Sequence, residues 1–422
     1  MIPAVEYSKR RDRLFANMPN NSALLVFAGK AKSASADETY PFEVNRNFYY
    51  LTGIDQEGSS LLLINADGEK KEYLFVDPYN PVKEKWYGKK LTPEEAKDLS
   101  DVSNVLLTSA LTAKLDSVLN EKLAEFGSIN TLFLDLEKEL KIEEDTFTTD
   151  YAESVKAVYP NVTVEDCYKM IVRLRMVKSP LEIEEFRKAI QITAMGIRAV
   201  MCAQREGVKE YELADLFLHT VNDESAYQGL AFPTIMASGI HTTVLHYPTP
   251  LDTLKKGDML QLDLGARNGY YCADVSRAFP VDRKFSDIQK TVYEIVLGCN
   301  KVIANYAKPG VTLADLQSVT VEYLASECLA KGIISKKEDI KDIYFHSVSH
   351  HIGLDTHDPC EGKTFPLEEG NVISDEPGLY IAELGFGVRI EDDLLITKNG
   401  AEVLTADIIK EVSDIEQFYK GN

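Results

Sequence analysis

Basic residues are few here relative to acidic ones, 46 against 67, and a chain of 422 residues holds one tryptophan, six cysteines and seven histidines. Each scarcity removes a class of protein. The formal charge of −21 leaves no broad basic face for nucleic acid, whose phosphates recruit lysine and arginine. It equally disfavours docking on anionic membranes. No stretch approaches the roughly 18 apolar residues that a spanning helix needs. The start of the chain carries Lys9, Arg10, Arg11 and Arg13 with no apolar run behind them, which does not read as a secretory leader. Cys167, Cys202, Cys272, Cys299, Cys328 and Cys360 are scattered and form no CxxC pair. That suits reduced thiols and a cytoplasmic location better than a disulfide framework.

What is present is an ordinary soluble composition, 45% hydrophobic and 27% charged. The length exceeds what one core usually organises, so two domains are expected, 1–170 and 171–422. In the first, short runs rich in Leu, Val, Phe and Tyr read as strands: Ala23–Ala28, Phe48–Thr52, Ser60–Ile64, Glu72–Val76, Val105–Thr108 and Thr131–Leu136. They alternate with charged helical segments, giving an α/β domain. It contains no phosphate-cradling glycine motif.

In the second domain, Ser179-Pro180-Leu181-Glu182 is a capping box with proline at the first helical position. Ile183, Phe186, Ile190, Ala194, Ile197 and Val200 then repeat at helical spacing. Further helices are expected at Glu210–Asn222, Ser286–Tyr306 and Leu313–Lys331. Leu213-Ala214-Asp215-Leu216 recurs as Leu313-Ala314-Asp315-Leu316, each after a Gly-Val pair, which hints at an internal duplication.

The segment Asp258–Pro280 reads as a hairpin turning at Asn268-Gly269. That turn sets Asp263 directly opposite Asp274, Cβ atoms ~5 Å apart, with Leu260, Leu262 and Leu264 on the other face. Two facing carboxylates are destabilising unless one is protonated, both reach solvent, or a cation lies between them. Four of the seven histidines, His346, His350, His351 and His357, fall within twelve residues, which invites a metal or acid–base reading. His351 alternates away from His350 and reads as structural, as does His219 on a helix face.

A second acidic pair follows, Glu376 before Pro377-Gly378 and Glu391 after Arg389-Ile390. The strands between them, Gly378–Ile381 and Phe386–Arg389, are joined by a loop too long to set their register. Alone, this Glu/Arg set also fits a surface ion-pair network. Together, Asp263, Asp274, Glu376 and Glu391 supply four negative charges, matching two divalent cations, and His350 adds a neutral ligand. A mostly oxygen shell suits Mn²⁺, with Co²⁺, Fe²⁺ or Zn²⁺ as alternatives.

This ordered set, with Asp263 in Gln261-Leu262-Asp263-Leu264-Gly265, then Asp274, His350, Glu376-Pro377-Gly378 and Arg389-Ile390-Glu391, resembles the pita-bread metallopeptidases, and among them the aminopeptidase P and prolidase branches. Asn45-Arg46-Asn47-Phe48-Tyr49-Tyr50-Leu51-Thr52-Gly53 and Trp86-Tyr87-Gly88 are similar to the N-terminal domain of aminopeptidase P. Ser347, where glycine is commoner, and Thr356, where Ile or Val is usual, depart from the pattern without touching a ligand. The resemblance implies a creatinase-like α/β domain followed by an internally duplicated pita-bread domain. It implies Asp263 on one metal, His350 on the other, and Asp274 and Glu391 bridging. Glu376 is implied as both ligand and general base toward a metal-bridging water. His246 is implied beside the reacting carbonyl, His357 at substrate and oxyanion, and His346, Tyr380 and Arg389 as supporting groups. The implied activity is removal of an N-terminal residue preceding proline; a prolidase restricted to Xaa-Pro dipeptides and a non-catalytic binding module are the alternatives. The N-terminal domain is implied in gating and assembly, with Trp86 at a partner's cleft in a homodimer or homotetramer.

Overall fold

The computed structural model describes residues 2–120, 122–123, 125–136, 147–224 and 228–421, the Lys83 side chain excepted. The chain divides into two compact units, 1–175 and 176–422. Among the described residues no helix is long and apolar enough to cross a membrane. The six cysteines are free thiols.

The first unit is built on a six-stranded mixed sheet. Its order is Asn104–Leu107, Glu69–Val76, Ser60–Ala66, Ser22–Phe27, Thr131–Leu134 and Thr163–Asp166. Ser60–Ala66 runs antiparallel to both neighbours and the outer pairings are parallel. Parallel pairs need crossover helices, and Leu115, Val118, Leu119, Ala152 and Val155 on two such helices pack onto Leu25, Leu62, Phe75 and Leu132 of the sheet. Phe48–Thr52 is not a strand. It lies in the helix Arg46–Thr52, where the Asn45 side chain accepts the Phe48 N–H and Gly53 closes the last turn with left-handed angles. Local capping outweighs the β preference of Phe-Tyr-Tyr-Leu-Thr. Of the basic run near the start, Arg10 and Arg11 are directed inward while Lys9 stays exposed. Arg10 donates to the Tyr50 carbonyl at 3.0 Å and Arg11 to that of Leu51 at 2.9 Å, cations placed at a helix C-terminus, where the helix dipole favours them.

The second unit repeats itself. Its long helix Pro180–Ala203 begins at the Ser179 capping box, and Glu210–Glu224 follows; Asp287–Tyr306 and Leu313–Ala330 form the second helix pair. Gly207 donates to the Leu254 carbonyl, and Leu254 donates back to Val208. Gly310 and Leu367 do the same with Val311. Each motif leads through a glycine of positive φ, Gly257 or Gly370, into a strand, Met259–Leu264 or Val372–Asp375. The central strands of the two three-stranded sheets are Met259–Leu264 and Asp392–Thr397. These matches pair Leu213 with Leu316, not with Leu313. The Leu-Ala-Asp-Leu echo is therefore out of register by three residues, although the duplication behind it is real. The buried positions agree with this register: Leu213, Phe217 and Val221 in one helix, Leu316, Thr320 and Leu324 in the other.

The same correspondence aligns Gly257–Gly265 with Gly370–Gly378 and so places Asp263 where the second half has Glu376. A side chain at Gly265 would run into the Ala273 backbone carbonyl. Gly265→Ala is thus expected to lower stability by about 3 kcal/mol or more, since neither backbone segment can give way. Urea unfolding measures this, and a cost below about 1 kcal/mol would show that the hairpin relaxes.

Candidate metal centre

The first acidic pair sits on a hairpin whose register differs from the sequence expectation. Arg267 pairs with Cys272 and Asn268 with Tyr271, so the turn is Gly269-Tyr270, both at positive φ. Asn268 is drawn out of the turn by its side chain, which binds Glu185 and Gln228. Asp263 consequently faces Ser276, and Asp274 lies two residues before that partner, a diagonal neighbour rather than a direct one. The second pair adopts the direct opposition. Val372 pairs with Leu395 on one side and Gly378 with Arg389 on the other. Both ladders share one register, which sets Glu376 opposite Glu391 at the bend between the two sheets.

These strands meet the histidine segment at one buried site. Asp274, His350 and Glu391 each bring a ligand atom within 4.8 Å of the others. His350 Nε2 lies 3.4 Å from Asp274 Oδ2 and 3.6 Å from Glu376 Oε1. Its Nδ1–H donates to the His351 carbonyl at 3.0 Å, which leaves Nε2 as the ring nitrogen that faces the carboxylates. Asp263 is turned differently: its Oδ2 accepts from Arg389 at 2.6 Å. Arg389 also donates to Ser276 Oγ at 2.8 Å and to the Tyr380 hydroxyl at 3.1 Å. The Tyr380 hydroxyl donates to His346 Nε2 at 2.8 Å, and His346 Nδ1–H donates to the Ser347 carbonyl at 2.8 Å. Arg389, Tyr380 and His346 thus form one oriented chain. His351 is buried beneath the site, bridged to Asp358 and Ile373, in the structural role expected of it.

The electrostatics shows what this arrangement lacks. Burial raises the Glu376 carboxyl to about 7, with Asp274 and Asp263 adding to the effect against His350 and Arg389. Burial raises Asp274 to about 6, reinforced by Asp263. Glu391 is pushed well above the carboxylate range by burial, Asp274 and Glu376. Burial opposes the charge of His350, but the Asp274 and Glu376 carboxylates outweigh it and raise its pKa to about 9. Four acids share a largely buried site with too little positive charge, the condition that divalent cations relieve. The donor set, four carboxylates and one imidazole with its tautomer set, fits such ions.

Around this centre, burial lowers His346 to about 4, with Arg389 and His246 contributing. Burial lowers His357 to about 4 as well, with repulsion from His350 and His246. His357 packs edge-on against His350, ring centroids 4.3 Å apart. His246 is exposed on the turn after Gly239–Thr243. Trp86 lies on the short helix Pro81–Tyr87 of the first unit. Three further residues support the site. Ser276 Oγ–H donates to Glu391 at 2.9 Å while accepting from Arg389. Ser374 Oγ accepts the His350 N–H at 3.0 Å and donates to Glu376 at 3.4 Å. Gln261 accepts the Arg389 N–H at 2.8 Å. Serine two positions from an acid is too common to stand out; only the folded registers bring these hydroxyls to their carboxylates.

Paired carboxylates in or beside the strands of a duplicated domain, met by one histidine from the segment between them, make this a metallohydrolase centre. Residues 184–398 match the metallopeptidase family M24, and residues 7–125 match the aminopeptidase P N-terminal domain. The Xaa-Pro aminopeptidase of Haemophilus influenzae is 32% identical over 99% of this chain and 97% of its own length. That of Escherichia coli is 30% identical over 98% and 97%. A structure assigned to aminopeptidase P of Bacillus anthracis superposes with a TM-score of 0.96 at 39% identity, covering 100% of this chain and 99% of that one. Zinc-substituted E. coli aminopeptidase P in complex with product gives 0.89 at 29% identity, with the same coverage. The chain belongs to metallopeptidase family M24, in its aminopeptidase P branch, and has that branch's N-terminal domain and duplicated catalytic domain.

Proposed function

We propose that this protein is an Xaa-Pro aminopeptidase that works with two divalent ions, Mn²⁺ by preference, held by Asp263, Asp274, His350, Glu376 and Glu391. The observation that carries the reading is the convergence of Asp274, Glu376 and Glu391 on His350, whose Nε2 faces these carboxylates. Ions bound there would acidify a water and polarise the scissile carbonyl. Glu376 receives the proton of the attacking water and passes it to the departing amine of proline. Ser374, bonded to Glu376 Oε1, restrains that carboxylate. His357 stays neutral at working pH and donates to the oxygen that gains charge as the carbonyl carbon becomes tetrahedral. His246 assists at the same carbonyl. Arg389 holds Asp263, and the relay through Tyr380 orients His346 toward substrate.

Exopeptidase specificity needs a closed cleft. Trp86 is 75% exposed, beside Tyr87 at 72% and with Tyr79 at 69% nearby in sequence, a concentration of large apolar side chains left open to a partner. We place Trp86 at the cleft of a second subunit in a homodimer or homotetramer, in the cytoplasm, where reduced thiols are stable. One comparison tests the function. An Xaa-Pro-Yaa tripeptide in Mn²⁺ is expected to be cleaved at least as well as an Xaa-Pro dipeptide, and Trp86→Ala is expected to raise KM for the tripeptide with metal content unchanged. Cleavage of the dipeptide alone would make the protein a prolidase, and a fully active monomer would remove the shared cleft.

A further inference from the structure

His246 sits on a long connection that is held at both ends by one buried carboxylate. The strand Ile235–Ser238 ends at Ser238, the turn Gly239–Thr243 follows, and the chain passes His246 and Tyr247 before reaching Asp252. Glu210, the first residue of the helix Glu210–Glu224, is fully buried beneath it. Its Oε1 accepts the Ser238 N–H and the Ser238 hydroxyl, each at 2.7 Å. Its Oε2 accepts the Asp252 N–H at 3.0 Å, and its own N–H donates to the Asp252 carbonyl at 3.0 Å. Midway, Thr242 Oγ1 accepts the Gly387 N–H at 2.6 Å, which ties the connection to the strand that ends in Arg389.

The fold does not demand an acid at this position. In the register that matches Leu213 with Leu316, the residue equivalent to Glu210 is Leu313, also at the start of its helix and also buried. A buried carboxylate costs stability unless its hydrogen bonds are made. One half of the duplication uses an apolar residue where the other keeps a carboxylate with several donors on it, and only the latter half has a connection bearing His246. Bonds to an ionised acceptor are short and strong, suited to restraining a connection that has no regular structure of its own beyond a single turn.

We propose that Glu210 is a positioning residue that clamps the 238–252 connection and thereby sets His246 against the reacting carbonyl, an inference that rests on the role given to His246 above. Glu210→Gln keeps the size but presents an amide N–H₂ to donors on one side. Because a displacement of about 1 Å can slow catalysis by 10²-fold, kcat is expected to fall roughly 10- to 100-fold, with KM and bound metal little changed. Amides of 239–251 are expected to exchange with solvent faster, while those of Met259–Leu264 keep their protection. His246→Ala is expected to lose at least as much kcat, and the double variant to be no slower than His246→Ala alone, since residues acting as one unit do not add. Normal kcat in His246→Ala would overturn the reading of His246 and this one with it. Normal kcat in Glu210→Gln beside a slow His246→Ala would overturn the clamp alone, as would additive losses in the double variant. Should Glu210→Gln fail to fold, Ser238→Ala removes one bond to the carboxylate and is expected to give a smaller, equally non-additive loss; no loss there would overturn the clamp.

Discussion

Glu376→Gln is expected to lower kcat by about 10²- to 10⁴-fold, the range over which a positioned general base acts. The substitution preserves shape and one acceptor oxygen, so the Ser374 bond to Oε1 survives in kind. What it removes is the capacity to take up a proton, together with one of the four negative charges at the centre. The expected signature is a fall in kcat and kcat/KM together, since the lost interaction belongs to the transition state rather than to substrate binding. Inductively coupled plasma mass spectrometry on the same sample separates lost chemistry from lost metal. If turnover stayed near normal with both ions bound, the base would lie elsewhere, and His357 and His246 would be the groups to test next. Glu376 lies at the bend between two ladders, opposite Glu391, its Oε1 3.6 Å from His350 Nε2.

How much of this was legible beforehand depended on how local the signal was. The capping box at Ser179 and the helices beginning at Glu210, Ser286 and Leu313 were readable because caps and 3.6-residue periodicity act within a few turns. A candidate ligand set could be proposed because acids and a histidine in that order resemble the pattern of one family. Registers were harder. The hairpin turn moved by one residue because Asn268 finds partners on Glu185 and Gln228, far away in sequence. Asp263 and Asp274 are therefore diagonal neighbours, while Glu376 and Glu391, whose loop gave no register, stand opposite. Phe48–Thr52 was misread because a cap at Asn45 and a stop at Gly53 outweighed five residues of strand-like composition. Arg10 and Arg11, for which the sequence offered no structural role, bond the carbonyls at the end of that same helix. Glu210, Ser276 and Ser374 were invisible in the linear text, since each is defined by partners that only the folded chain brings near.

Removing the metal is expected to abolish turnover and to loosen the second unit, and both effects follow from charge. Asp274 and Glu391 are buried and Glu376 is partly buried beside them, and without cations burial and mutual repulsion push all three above their ordinary range. The folded chain therefore carries a repulsion that the unfolded chain, with its acids in water, does not. Ions that bind only the folded form relieve it and add RT ln(1 + [L]/Kd), about 2.7 kcal/mol per site at a hundredfold excess over Kd. For a unit of this size each kcal/mol is roughly 2–4 °C in Tm, so exhaustive chelation is expected to lower Tm on the order of 10 °C while activity falls to background. Adding Mn²⁺ to the chelated protein is expected to restore both, with saturation at two ions per chain by isothermal titration. Saturation at one ion would point to Asp274, His350 and Glu391 as the whole site and leave Asp263 to Arg389, which it already binds at 2.6 Å. Full activity in a sample shown to be metal-free would end the metallopeptidase mechanism for this chain.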